Sequence, residues 1–292
     1  MRIVSLLPAA TDIVASLGVL DQLVGRTHEC DWPPDAVDAI PIVTATELAS
    51  SLSSREISET MVHHGSSIYV LDQDALSAAK PDVILTQDLC DVCAVSYRSV
   101  NDAVRIMELD TTVVSLQPKT IDGVLTAIDT VAALVGAEDR AARITDDAHA
   151  RLARLPGSSS GAPSVLFVEW LDPLMPGGHW VPEQIAYAGG RSLVLGPGQH
   201  SVPQLCTDVR ELRPEVIVFG PCGFSPERTR AEIHLAQAWP GWSELPAVRS
   251  GSVWIVDGPA YFNRPGPRVI DGAEILASIL GGAPEPAGAW RV

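Results

Sequence analysis

Four of the five cysteines follow short apolar runs: Cys30 in GRTHECDWP, Cys90 and Cys93 in TQDLCDVC, and Cys222 in GPCGF. A Cys-x-x-Cys pair admits three readings: a redox couple, part of a metal or cluster site, or two packed thiols. Thiolates from three loops could hold zinc or an iron–sulfur cluster. A zinc ribbon, however, brings two such pairs, and this chain has one. A thioredoxin-type couple would have to open a helix directly after a strand. Cys206, in SVPQLCTDVRELRP, falls on a helical pattern and reads as a small buried hydrophobe.

The same loops carry the other reactive or ligand-contacting side chains. His28, Glu29 and Trp32 precede Pro33, and Gln87 lies just ahead of the cysteine pair. Glu169, Trp170, His179 and Trp180 share VEWLDPLMPGGHWVPE, Phe224 follows Cys222, and Tyr261, Phe262 and Arg264 lie in AYFNRPGPR. Aromatic planes suit a flat macrocycle, or they pack as large residues at a domain border. His28 and His179 could ligate a chelated cobalt or iron, or hold a turn by hydrogen bonds. Arg264 and Arg268 flank a Pro-Gly-Pro turn, placed to pair with a ligand carboxylate or phosphate or with one of the chain's acids. The helix opened by Pro8 would offer free N–H groups to an anion. No Gly-rich phosphate loop, no G-x-S-x-G elbow and no H-E-x-x-H pattern occurs, so no nucleophile with its base is singled out.

These loops are positioned by an α/β pattern. Short β-branched runs at 3–7, 23–25, 67–71, 82–86, 112–116, 164–170, 215–220 and 252–257 alternate with helical stretches, which predicts parallel sheets buried on both faces. TIDGVLTAIDTVAALVG (120–136) and AEDRAARITDDAHARLARL (137–155) have no proline and predict two helices parted at Gly136, the second about 28 Å long. KPDVILTQDLCDVC (80–93) and RPEVIVFGPCGF (213–224) repeat a cation, proline, acid, strand and cysteine. The expectation is two Rossmann-like lobes joined by a long rigid helix, with a ligand cleft between them. The segments are 1–136, the bridging helix 137–156, and 157–292, with GSSSGAP at the break.

Its 292 residues suffice for two cored domains, and the mean hydropathy is +0.18. A net charge of −16 with no basic stretch excludes nucleic acid as a partner. No run reaches 18 apolar residues, so no transmembrane helix is expected. MRIVSLLPAATDIVASLG resembles a signal peptide superficially. Pro8 and Asp12 interrupt it, and it reads instead as the first strand and helix, which predicts a cytoplasmic protein with reduced thiols.

SLLPAATDIVASLG, LVGRTHECDWP, TQDLCDVCAVS, VEWLDPLMPGGHWVPE, GPCGF and YFNRPGPR together resemble the periplasmic-binding-protein family for cobalamin and ferric siderophores, the class with a helical backbone. Within it the chain is similar to a branch without a leader, often labelled cobalamin-binding. The resemblance spans residue 2 to about residue 280. It implies a binding protein, not an enzyme, that holds a metal chelate or corrinoid between lobes. Of the residues above it implies His28, Glu29, Trp32, Gln87, Glu169, Trp170, His179, Trp180, Phe224, Tyr261, Phe262 and Arg264 as ligand contacts. Glu169 and Glu183 resemble the acids with which exported members meet a transporter. Without an export signal, a transporter partner is not expected. The alternative is a cytoplasmic metal- or iron–sulfur-binding enzyme or redox protein using Cys30, Cys90, Cys93 and Cys222.

Overall fold

The computed structural model describes residues 1–46, 48, 51–64, 69–87, 100, 102–104, 110–205, 208–284 and 286–292, with only the backbone of 61–64. Cys90, Cys93 and Cys206 lie outside the described residues. The chain divides into two compact units. One comprises residues 1–52, 59–118 and 123–145, and the other 53–58, 119–122 and 146–292. The last division falls inside the helix Glu138–Leu152, upstream of the GSSSGAP stretch.

In the first unit, strands β1 (Ile3–Ser5), β2 (Leu23–Arg26), β5 (Val83–Thr86) and β6 (Thr112–Ser115) form a parallel sheet in the order β2-β1-β5-β6. β3 (Thr44–Thr46) and β4 (Tyr69–Leu71) stand apart as a two-stranded antiparallel ribbon. The run at 67–71 was expected in the parallel sheet. Its described part pairs outside that sheet, in keeping with a burial pattern that leaves Val70 48% exposed. Val4, Leu6, Val43, Leu76, Ile84 and Val100 pack the core of this unit.

In the second unit, β7 (Ser164–Trp170), β10 (Val216–Phe219) and β11 (Val253–Val256) are parallel neighbours. β8 (Met175–Pro176) runs antiparallel and β9 (Arg191–Ser192) parallel to opposite ends of β7, while β12 (Ala289–Arg291) closes the far edge antiparallel to β11. β8, β9 and β12 are two or three residues long and leave too short a β-branched run to be seen in the sequence.

Local chemistry sets the helix ends. Pro8 occupies the first turn of Pro8–Ser16, and Asp72, Ser225 and Asp257 cap the helices that follow them with side-chain oxygens. Ile121–Val135 and Glu138–Leu152 are separate helices, with Gly136 between them at φ +69°. The second has 15 residues, about 22 Å, shorter than the sequence pattern predicts because the chain turns at Ala153–Leu155. Its first turn is acidic and its last basic, matching the helix dipole.

Candidate functional site

Both parallel sheets reverse their strand order beside the first strand. The chain leaves β1 for β2 on one side and returns as β5 on the other. Likewise it leaves β7 for β9 on one side and returns as β10 on the other. At such a switch point adjacent loops diverge, and the carboxyl ends of the strands open to a ligand. The sequence motifs lie at these ends: residues 27–32 after β2, Gln87 after β5, Glu169–Trp170 at the end of β7, and Gly220–Cys222 after β10.

In the first unit a hydroxyl network organises the loop. Thr44 donates to the Thr27 hydroxyl at 3.0 Å and accepts the His28 backbone N–H at 3.1 Å, while the His28 Nδ1 lies 2.8 Å from the same Thr44 oxygen. The ring packs against Tyr69 with centroids 5.1 Å apart, and Nε2 lies 3.5 Å from a Glu29 carboxylate oxygen. Cys30 is turned inward. It is 4% exposed, with Sγ 2.9 Å from the Thr11 hydroxyl, which in turn bonds Ser5 at 2.9 Å. Gln87 is buried and Trp32 half-buried. At the helix opened by Pro8, the Ala10 and Thr11 N–H groups are taken by the Leu7 carbonyl, and Pro8 has none to offer an anion.

In the second unit the constellation centres on Glu169. Its Oε2 accepts the Gly178 N–H at 3.2 Å and the Ser201 hydroxyl at 3.0 Å, and its Oε1 lies 3.8 Å from the Cys222 thiol. Cys222 also donates its backbone N–H to the Glu169 carbonyl at 3.0 Å, tying the ends of β7 and β10. Burial pushes the Glu169 carboxyl above the usual range, against the pull of those three donors. A Cβ on Gly178 would lie 2.6 Å from the Gln199 carbonyl, so only glycine fits this approach. Next to it His179 takes φ +52°, donates its N–H to Gln199 at 2.7 Å, and places Nε2 3.1 Å from His200 Nδ1. Burial, with His200 and Lys119 adding to it, lowers the His179 pKa to about 4.

The aromatic residues divide into two groups. Trp180 is 4% exposed and its indole donates to the Phe262 carbonyl at 2.9 Å; Phe262 itself packs on Phe167 at 4.9 Å. Phe224 is 1% exposed, between the Trp170 ring and the Arg228 guanidinium, which sits 3.6 Å from its centroid. The Trp170 indole donates to Ser58 at 2.8 Å and to the Asp172 carbonyl at 3.1 Å. Tyr261 and Arg264, by contrast, are half-buried. Glu183 accepts the Ile121 N–H at 2.6 Å at the start of Ile121–Val135, and burial raises its pKa.

Cys30 belongs to the first unit and Cys222 to the second. Among the described residues no three His, Cys, Asp or Glu groups gather to hold a metal ion. His200, Ser201 and Thr44, which complete the two networks, are absent from the residues picked out by sequence. The only signal for the first two is the GPGQHS loop at 196–201.

The periplasmic binding protein family pattern matches residues 3–260. A vitamin B12-binding protein of Vibrio cholerae is 24% identical over 284 residues, covering 96% of this chain and 88% of its own length. A periplasmic heme-binding protein from Pseudomonas aeruginosa superposes with a TM-score of 0.71 at 19% identity, over 99% of this chain and 97% of its own. An ABC transporter substrate-binding protein from Listeria monocytogenes gives 0.70 at 14% identity, over 95% and 97%. These matches overturn the cytoplasmic expectation, because the family is one of extracytoplasmic binding proteins. The reading of the first 18 residues as strand and helix was sound for the fold but carries no information on location. The argument against a transporter partner rested on that location and falls with it. Among the described residues no helix is long and apolar enough to cross a membrane.

Proposed function

Because the chain belongs to the periplasmic binding protein family, we propose that it is a substrate-binding protein that captures a corrinoid of the cobalamin type, performs no chemistry on it, and delivers it to an ABC-type transporter. The observation that carries this reading is the relationship to the Vibrio cholerae vitamin B12-binding protein along 96% of the chain. The geometry supports it, since the loop of His28 and Trp32 follows β2 beside one switch point and Trp170 ends β7 at the other.

In this proposal His28, Glu29, Trp32, Gln87, Tyr261 and Arg264 contact the ligand. Trp170, Trp180, Phe224 and Phe262 act by holding those loops in shape, since each is engaged by its own unit. Arg264 meets a carboxylate, phosphate or amide oxygen of the ligand through its planar fork. The segments 1–136 and 157–292, linked through 137–156, are the lobes of this reading.

The test is a titration with cyanocobalamin, hemin and a ferric hydroxamate, followed by tryptophan quenching and calorimetry. Cobalamin is expected to bind one to one with a dissociation constant of about 1 μM or tighter, ~−8 kcal/mol. Arg264→Ala is expected to weaken it about tenfold, ~1.4 kcal/mol. Saturable binding of hemin or the hydroxamate without cobalamin would overturn the corrinoid assignment. Binding of none of the three would overturn the chelate class.

A further inference from the structure

The imidazoles of His179 and His200 face each other, with Nε2 of the first 3.1 Å from Nδ1 of the second and the rings at 84°. We propose that this pair is a two-imidazole site for a borderline divalent transition-metal ion such as nickel(II) or zinc(II). The proposal concerns a bare ion and does not depend on which chelate the protein carries.

The distance fits the chemistry. Two nitrogens bound at about 2.0–2.1 Å to one ion, at angles between square and tetrahedral, lie roughly 2.9–3.4 Å apart. The observed separation is inside that window, so a modest rotation of the two rings replaces the shared hydrogen bond by a shared ion.

The backbones that carry the rings are already fixed. His179 donates its N–H to Gln199 at 2.7 Å, and Gly198 donates to the His179 carbonyl at 2.9 Å. One residue outward on each side, Gly178 and Ser201 both bond the same Glu169 oxygen. The two segments are thus clamped together on either side of the pair, and little conformational entropy is lost on binding.

The donor type also fits. His200 is exposed, which leaves the remaining coordination positions to water. Nitrogen donors suit nickel and zinc and are a poor match for the hard cations magnesium and calcium. The Lys119 charge acts on the His179 ring and opposes a cation there.

The experiment is calorimetric titration of the metal-stripped protein with nickel(II), zinc(II) and magnesium(II). It uses wild type, His179→Asn, His200→Ala and, as a control, His234→Ala, an exposed histidine on the helix Pro226–Gln237. Asn is chosen at 179 because it tolerates the left-handed backbone there, and near-UV circular dichroism checks that each variant is folded. One equivalent of nickel(II) in the micromolar range is expected, no heat from magnesium(II), and a loss of about tenfold or more in His179→Asn and in His200→Ala, ~1.4 kcal/mol. His234→Ala should bind as wild type does. Unchanged nickel affinity in folded His179→Asn or His200→Ala, an equal loss in His234→Ala, or no binding to wild type would each overturn the site.

Discussion

Ser201 donates its hydroxyl to Glu169 Oε2 at 3.0 Å, and the same oxygen accepts the Gly178 N–H at 3.2 Å. One carboxylate oxygen therefore closes the loop at 177–180 onto the loop at 196–201, while the other faces the Cys222 thiol. A glutamine amide oxygen could take both donors, with its NH2 turned to the sulfur. Glu169→Gln is expected to fold with a stability within about 1 kcal/mol of wild type at pH 7. Glu169→Ala leaves all three donors unanswered and should cost about 2–4 kcal/mol. Urea denaturation at pH 7 checks both, and an equal loss in the two variants would show that the charge, not the acceptor, is what matters.

His179 and Glu169 predict opposite responses to acid. The folded His179 pKa, about 4, is below the usual histidine value because of burial and its neighbours His200 and Lys119. A group lowered in this way contributes stability that is full above its unfolded value, near 6.5, and is lost as pH falls toward 4. Glu169 is raised, chiefly by burial. Its contribution is full below the unfolded carboxyl value and is lost as pH rises through the folded one. His179→Asn should therefore flatten the stability curve between about pH 6.5 and pH 4, and Glu169→Gln should make the decline toward acid steeper. Thermal unfolding at half-unit pH steps measures both slopes. A wild-type decline that His179→Asn leaves untouched would remove His179 as its cause.

Periodicity made most of this fold legible. Seven of the eight β-branched runs became strands of the two main sheets, and for β1, β5, β10 and β11, buried along their whole length, the reason is that a strand buried on both faces needs a continuous apolar run whatever surrounds it. The run at 67–71 is the eighth, and it failed because an apolar run does not say which strand will accept its hydrogen bonds. Site residues were legible as loops rather than as contacts. Trp180 and Phe224 stood out by type, yet the first spends its indole on Phe262 and the second is enclosed by Trp170 and Arg228. His200 and Ser201 could not be found by pattern, since their partner Glu169 and their neighbour His179 lie more than twenty positions upstream, on other elements.

The last prediction concerns Arg151, near the end of the helix Glu138–Leu152. It meets Glu274 through both Nε, at 2.9 Å, and a terminal nitrogen, at 2.6 Å, and the same nitrogen bonds Asp271 on the helix Val269–Leu280. Lysine keeps the charge but cannot make the two parallel bonds of the fork. The side chains are a quarter to two-fifths exposed, so solvent screens the pairing. Arg151→Lys is expected to cost about 1 kcal/mol and Arg151→Met about 1–2 kcal/mol. The Glu274 pKa is lowered, first by its bonds to Arg151, so this contribution is present above the unfolded carboxyl value and is lost as pH falls through the folded one. Urea denaturation of the three proteins at low and at ~1 M salt, where the Debye length is about 3 Å, should show the penalties shrinking. A penalty for Arg151→Lys that is unchanged at high salt would assign the loss to packing of the arginine stem instead.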